Sequence, residues 1–269
     1  MSEPDPRFAS IRRLYGQSST EVLANTHLCV VGLGGVGSWA VEAAARSGVG
    51  KLTLIEFDVV QLSNMNRQLH TLTSTLERKK AEVLAERAKE INPAIEIYII
   101  DDFITLKNYQ EYLNPSHNYD YVIDAIDSIK CKAIMIYYCR RNKIPIITTG
   151  GAGGLDDPTK IEITDLSKTY NDALAAKVRS QLRKDYHFPT NPKRSFRVEC
   201  VFSSQQPVYP TPEGEVSHQK PGIHGISLDC RYGYGSATFV TASFGFACVA
   251  RLIKKILAKQ AKIDRALPQ

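Results

Sequence analysis

Residues 27–47, HLCVVGLGGVGSWAVEAAARS, decide the fold. The stretch 27–33 is β-branched and apolar and reads as a buried strand. It runs into Gly32-Leu33-Gly34-Gly35-Val36-Gly37, a tight glycine turn, and then into an Ala-rich segment that favours helix. A second strand, KLTLIEF (51–57), follows within the roughly 30 residues of one right-handed βαβ unit.

The alternation continues outward from this unit. Residues 77–91 place Ala81, Leu84, Ala88 and Ile91 on one helical face, and Asn92-Pro93 stops the helix. Strand IEIYII (95–100), a short helix near 105–113, strand YDYVIDAI (119–126), helix 129–142 and strand IPIITTG (144–150) complete five βα repeats. The expected fold is α/β, a doubly wound, mostly parallel, Rossmann-like sheet. Beyond Gly150 the rhythm changes to a glycine-rich loop, strands KIEITDL and SFRVECVFS, and a basic helix NDALAAKVRSQLRKD. Residues 1–150 therefore read as a nucleotide-binding core, and 151–269 as a substrate-side extension of the same domain.

Composition sets the outer limits. With 269 residues, 43% hydrophobic and 23% charged, the chain can bury a sizeable core, which excludes disordered, collagen-like and coiled-coil classes. The net charge of +6 tolerates a polyanionic partner without requiring one. Six cysteines without a Cys-x-x-Cys pair suit a reducing compartment. The start MSEPDPRFAS lacks the basic-then-apolar order of a secretory signal, so a cytoplasmic location is expected. Tyr232 to Ala250 is uncharged but carries glycines and hydroxyls. It reads as the buried end of a helix whose wet end holds Arg251, Lys254 and Lys255, in preference to a membrane span or contact.

The chemistry-bearing residues gather after the strands. Gly32, Gly34, Gly35 and Gly37 let backbone amides approach a phosphate at a helix N-terminus. Glu56 and Asp58 lie at the end of the second strand, and either suits ribose hydroxyls. Asn64, Arg67, Gln68 and then Lys80 follow. Cations converging on the phosphate end of ATP suit displacement of a phosphate, whereas a hydride-transfer site mainly holds a resting pyrophosphate. Asp127, past strand YVIDAI, suits magnesium held by one carboxylate plus phosphates and water. Asp124, inside the strand, reads as structural.

GLGGVG, LTLIEFD, LSNMNRQ, Lys80 and IDAIDS, in this order, resemble the ATP-dependent adenylating enzymes related to ubiquitin activation, whose bacterial members (ThiF/MoeB-type) activate sulfur-carrier proteins. RLYG (13–16), GGVGSW (34–39), NRQLH (66–70), YYCRRNKIP (137–145), TTGGAGG (148–154) and ATFVTASFGF (237–246) are similar to the branch of that family that dehydrates threonylcarbamoyladenosine in tRNA. The resemblance implies ATP bound by the glycine loop and Glu56, phosphate contacts from Asn64, Arg67, Gln68 and Lys80, and magnesium support from Asp127. It further implies a homodimer in which Arg13 reaches the other subunit's nucleotide, and a sulfur-acceptor partner from the cysteine-desulfurase system. Family members usually carry Asp at the position of Glu56.

The expected reaction is adenylation of a threonyl carboxylate, with release of pyrophosphate, then ring closure with release of AMP. Arg67, Lys80, Asp127 and Arg13 are its expected catalytic residues, and no protein nucleophile is needed. The alternative is an activator of a sulfur-carrier or ubiquitin-like protein. The missing zinc-binding Cys-x-x-Cys pairs argue against that alternative. A nicotinamide oxidoreductase and a non-catalytic RNA-binding module are the remaining readings. Cys230, beside Arg231, is the thiol of interest if it is not simply an inert buried cysteine. Two basic stretches suit tRNA phosphates or plain solvated faces: Lys177 to Arg197, and Arg251 to Arg265. The loop Gly150–Gly154 reads either as a cradle for substrate or a monovalent cation, or as a connector.

Overall fold

The computed structural model describes residues 5–219 and 235–266. Ahead of the first strand lie two short helices, α1 (Ala9–Tyr15) and α2 (Ser19–Ala24). The alternating core follows: β1 (His27–Val31), α3 (Gly37–Arg46), β2 (Lys51–Ile55), α4 (Lys80–Ile91), β3 (Glu96–Ile100), α5 (Tyr109–Tyr112), β4 (Tyr121–Asp124), α6 (Ile129–Arg141) and β5 (Ile146–Thr149). The later elements are β6 (Ile161–Asp165), α7 (Ala173–Tyr186), β7 (Glu199–Ser203), the small pair β8 (Tyr209–Pro210) and β9 (Val216–Ser217), and α8 (Thr238–Ala266).

Seven strands form one sheet in the order β3-β2-β1-β4-β5-β7-β6. The chain reverses direction across the sheet between β1 and β4, the crevice where doubly wound folds collect ligands. All pairings are parallel except β6 with β7. The glycine loop from β5 to β6 holds no crossover helix, so β6 returns antiparallel at the edge, as a short connection requires.

Side-chain alternation explains why both faces are covered. Leu28, Val30, Leu52, Leu54, Ile123 and Ile147 face one core with α3, α4 and α8, whereas Cys29, Val31, Ile55, Val122 and Ile146 face a second core with α6 and α7. Each such side chain contributes about 1.5–3 kcal/mol of burial.

Two local expectations shift and a third holds. The helix expected from residue 77 starts at Lys80, because Lys79 pairs with Val59 in a β-bridge and Glu77 takes a left-handed φ of 66°. The helix expected near 105–113 is the single turn α5. The described part of the uncharged stretch forms the start of α8, whose Val240, Phe244, Cys248 and Leu252 fill the first core. No helix among the described residues is long and apolar enough to cross a membrane.

Helix α8 comes close to α3 at Gly245, where a Cβ would stand 2.6 Å from the Val36 carbonyl and 2.8 Å from the Ala40 amide. Gly245→Ala should force the helices apart at a cost of about 1–3 kcal/mol, read as a lower Tm in thermal unfolding. His70 is buried with neither ring nitrogen hydrogen-bonded among the described residues. Burial, and secondarily the Lys80 charge, depress its pKa from 6.5 to about 4. The fold holds the neutral ring, so this stability is present above pH 6.5 and is lost as pH falls towards about 4, by up to roughly 3 kcal/mol. In His70→Leu the denaturant-unfolding free energy should lose this acid-side slope.

Candidate nucleotide site

The glycine loop is shaped by contacts that no side chain permits. Gly32 has φ 85°, and a Cβ there would lie 2.8 Å from Ile126 Cγ2. At Gly37 it would lie 1.8 Å from the Gly32 carbonyl oxygen. These two glycines close the turn and point the N-terminus of α3 at the carboxyl edge of the sheet. Gly34 and Gly35 are different: the nearest atoms to an added Cβ are Gln68 Nε2 at 3.8 Å and Thr241 Cγ2 at 3.3 Å. The loop therefore opens at Gly34, where orphan amides and the helix dipole favour an anion.

The two acids at the end of β2 do different things. Glu56 is buried, and its carboxylate accepts from the amides of Leu33 at 2.8 Å, Phe57 at 3.0 Å and Asp58 at 3.1 Å. It pins the glycine loop to the strand end. Asp58 is the acid turned outward: its side chain is 52% exposed and lies 3.1 Å from the Lys80 ammonium, which is only 6% exposed. Lys80 is thus a nearly desolvated cation whose one paired carboxylate still faces solvent.

The segment carrying Asn64, Arg67 and Gln68 packs over the glycine loop. Asn64 is buried and caps its own turn, its Oδ1 accepting from the Gln61 amide at 3.2 Å. Gln68 is buried beside Gly34, and among the described residues its Oε1 has no hydrogen-bond partner. The Arg67 guanidinium donates to the Ser63 carbonyl at 3.0 Å and to Asn66 Oδ1 at 2.9 Å. Two helices fix its backbone, since the Arg67 carbonyl accepts from Trp39 Nε1 at 3.0 Å and from Thr241 Oγ1 at 3.4 Å. Asn66 is tied to Ser236 at 2.7 Å and to Thr238. Trp39, Thr238 and Thr241 support the site without any sequence signal beyond their place in GGVGSW and ATFVTASFGF.

Asp127 is exposed in the loop between β4 and α6. Beneath it Asp124 and Lys132, 0% and 1% exposed, form an ion pair of 3.0 Å. Lys132 also donates to the carbonyls of Ile126 at 3.0 Å and Asp124 at 3.3 Å, while Thr148 donates to Asp124 Oδ2 at 2.6 Å. The Asp127 loop is therefore held from below by a fully buried cation, which a reading of charges in loops does not find. Among the described residues no three acids, histidines or cysteines cluster as metal ligands. A single exposed carboxylate does fit magnesium carried mainly by phosphates and water.

Asp172 caps α7, accepting from the Ala175 amide at 2.8 Å, and reaches back to the Gly151 amide at 3.0 Å. Its Oδ2 would lie 1.7 Å from a Cβ at Gly150, so that glycine is required and the carboxyl fills the space beside it. Burial raises the Asp172 pKa against the amides that lower it. Arg13 is exposed, and among the described residues its side chain bonds only to Ser10, at 3.0 Å. Phe8, just ahead of its helix, packs on Gly48 at the far end of α3, so these contacts do not bring Arg13 to its own chain's glycine loop. Burial pushes the thiols of Cys29, Cys139, Cys200 and Cys248 up, Cys139 and Cys248 to about 12, which leaves them inert. Cys230 lies outside the described residues. Of the second basic stretch, Arg251 and Lys255 are paired with Glu199 at 2.6 and 2.9 Å.

The chain is 52% identical to the tRNA threonylcarbamoyladenosine dehydratase of Haemophilus influenzae (strain ATCC 51907 / DSM 11121 / KW20 / Rd), over 95% of each chain. It is 50% identical to the protein of the same name from Escherichia coli (strain K12), again over 95% of each. A crystal structure of the E. coli enzyme in complex with ATP superposes with a TM-score of 0.84 at 48% identity, covering 95% of this chain and 96% of that one. The ThiF family model matches residues 8–267, and with the glycine loop, the Lys80–Asp58 pair and the Asp127 loop gathered at one sheet edge, the chain belongs to the ThiF family.

Proposed function

We propose that this protein is an ATP-dependent tRNA threonylcarbamoyladenosine dehydratase. The observation that carries the reading is the nearly buried Lys80 ammonium, 3.1 Å from the outward-facing Asp58, in the same segment of fold as a glycine loop open to an anion. Likeness to dehydratases, one of them solved with ATP, supports a nucleoside triphosphate as the anion this cation meets.

The threonyl carboxylate of the modified adenosine attacks the α-phosphorus of ATP, the bond to the β-phosphate oxygen breaks, and pyrophosphate leaves with its electron pair. An atom of the neighbouring carbamoyl group then attacks the acyl carbon of the adenylate. The carboxylate oxygen departs on AMP, the carbamoyl group gives up a proton, and the net loss is one water. Ring closure is intramolecular, so effective concentration replaces a protein nucleophile. In this reading Asp58 takes the ribose hydroxyls, while Glu56 keeps the loop in place. The amides at Gly34 and Gly35, with Arg67, Lys80 and Gln68, surround the phosphates, where positive charge stabilises the developing pyrophosphate. Asp127 would hold magnesium, which would supply further neutralisation of phosphate charge. Arg13 serves the site of a second subunit in a homodimer, and the location is the cytoplasm. A monovalent cation, if the reaction uses one, would be held by the Gly150–Gly154 loop.

Incubation with ATP, magnesium and tRNA bearing the open modification should give a nucleoside lighter by about 18 Da with AMP as co-product, by mass spectrometry. Turnover to ADP, or no mass loss, would sink the reading. Lys80→Ala and Arg67→Ala should each lower kcat by about 100-fold or more. The two strand-end acids separate by the size of their effects: Asp58→Asn should raise KM for ATP with only a small fall in Tm, whereas Glu56→Gln should lower Tm strongly and ATP affinity with it. The opposite pattern would return the ribose to Glu56.

A further inference from the structure

Helices α6 and α7 pack side by side and run the same way through the fold. Both begin at the nucleotide edge, α6 behind the Asp127 loop and α7 at Asp172 on the Gly151 amide. Both end at the opposite edge of the sheet, about 20 Å away at 1.5 Å per residue. Between their C-terminal ends and residues 188–197 lies a groove of about 650 Å³, lined among others by Tyr137, Arg140, Arg141, Tyr186, Arg194 and Arg197.

The lining contains four arginines and no acidic residue. Among the described residues none of these four guanidiniums is in an ion pair. Arg140 and Arg141 sit in the last turn of α6, where helix carbonyls favour cations, but Arg194 and Arg197 come from a non-helical segment that no helix dipole explains. Arg197 is exposed between buried Phe196 and Val198, on backbone held at φ 57°. The floor is aromatic: Tyr137 stacks on Tyr186 at 4.7 Å, and Phe196 meets Phe188 edge-on at 5.0 Å with the Arg183 guanidinium 5.4 Å over its ring.

Planar guanidiniums without carboxylate partners beside stacked aromatic rings are the chemistry of RNA, phosphates on the first and bases on the second. An acidic peptide would satisfy the charges but would leave the ring stack without a planar partner. We infer that this groove is a distal RNA-binding site, gripping a part of the substrate tRNA about 20 Å from the nucleoside that reacts. The inference rests on the proposed tRNA substrate. The rigid α6–α7 pair then acts as a spacer, setting the distance between the gripped backbone and the nucleotide edge.

The test is the pair Arg140→Glu with Arg194→Glu, two residues outside the nucleotide site, compared with wild type on full tRNA and on a short oligonucleotide bearing the same modification. On full tRNA, KM should rise about tenfold or more while kcat and ATP affinity hold, and the slope of log affinity against log salt should shrink by about two. The short oligonucleotide should be turned over equally by both. Arg140→Lys with Arg194→Lys should keep most of the salt slope, since phosphate accepts either cation. An unchanged KM and salt slope would overturn the inference, as would a changed oligomeric state at unchanged tRNA affinity, which would make the groove a contact between copies. If wild type dehydrates no tRNA, the functional reading fails instead. Filter binding of unmodified tRNA still reads the groove, which stands only if the glutamate pair binds more weakly.

Discussion

The candidate site depends on a charge pair that never meets water. Asp124 ends the central strand β4 and Lys132 sits one turn into α6, and their 3.0 Å contact lies where the chain reverses direction across the sheet. A pair so buried contributes little net stability, because desolvating both ions offsets their attraction, but removing one partner strands the other at about 3–5 kcal/mol. What the pair contributes is position. Lys132 gathers the Ile126 and Asp124 carbonyls, Thr148 and Thr149 hold Asp124 from β5, and the Asp127 loop has one shape. The same loop borders Gly32, whose missing Cβ leaves room for Ile126. The glycine turn and the Asp127 loop therefore fit each other, and disturbing either reshapes the nucleotide edge.

A second layer of support comes from the end of the chain. Helix α8 lies on α3 at Gly245 and extends Thr238 and Thr241 to the backbone of Asn66 and Arg67. The long C-terminal helix therefore serves the Asn66–Arg67 segment as much as it serves the core. Adenylation asks for cations and dipoles fixed before charge develops, so that no reorganisation is needed during the reaction. An arginine whose main chain is bonded to two helices meets that demand better than one on a free loop.

Much of this was legible in the sequence because it is local. Strand-turn-helix order, the glycine spacing and the alternation of strand residues depend on neighbours in the chain, and they predicted the doubly wound sheet. What escaped depends on contacts distant in sequence. Glu56 and Asp58 look equivalent at the end of a strand, and only the Leu33 amide, 23 residues away, takes Glu56 inward. Lys132 reads as one more surface lysine in IKCKAIMIYYC until β5 closes over it. The antiparallel β6 and the late start of α4 follow from what a short loop and a β-bridge permit. The uncharged stretch before Arg251 was legible as the buried end of a helix, because its glycines and hydroxyls and the charges that follow it set it apart from a lipid-facing segment.

In the proposed reaction a carboxylate oxygen becomes part of a leaving group, and the fate of that oxygen reports the step. The tRNA substrate would carry heavy oxygen in its threonyl carboxylate, and AMP from a single turnover would be weighed by mass spectrometry. One labelled oxygen should move to the phosphate of AMP. Label found in inorganic phosphate, or AMP that stays unlabelled while the tRNA product forms, would contradict it.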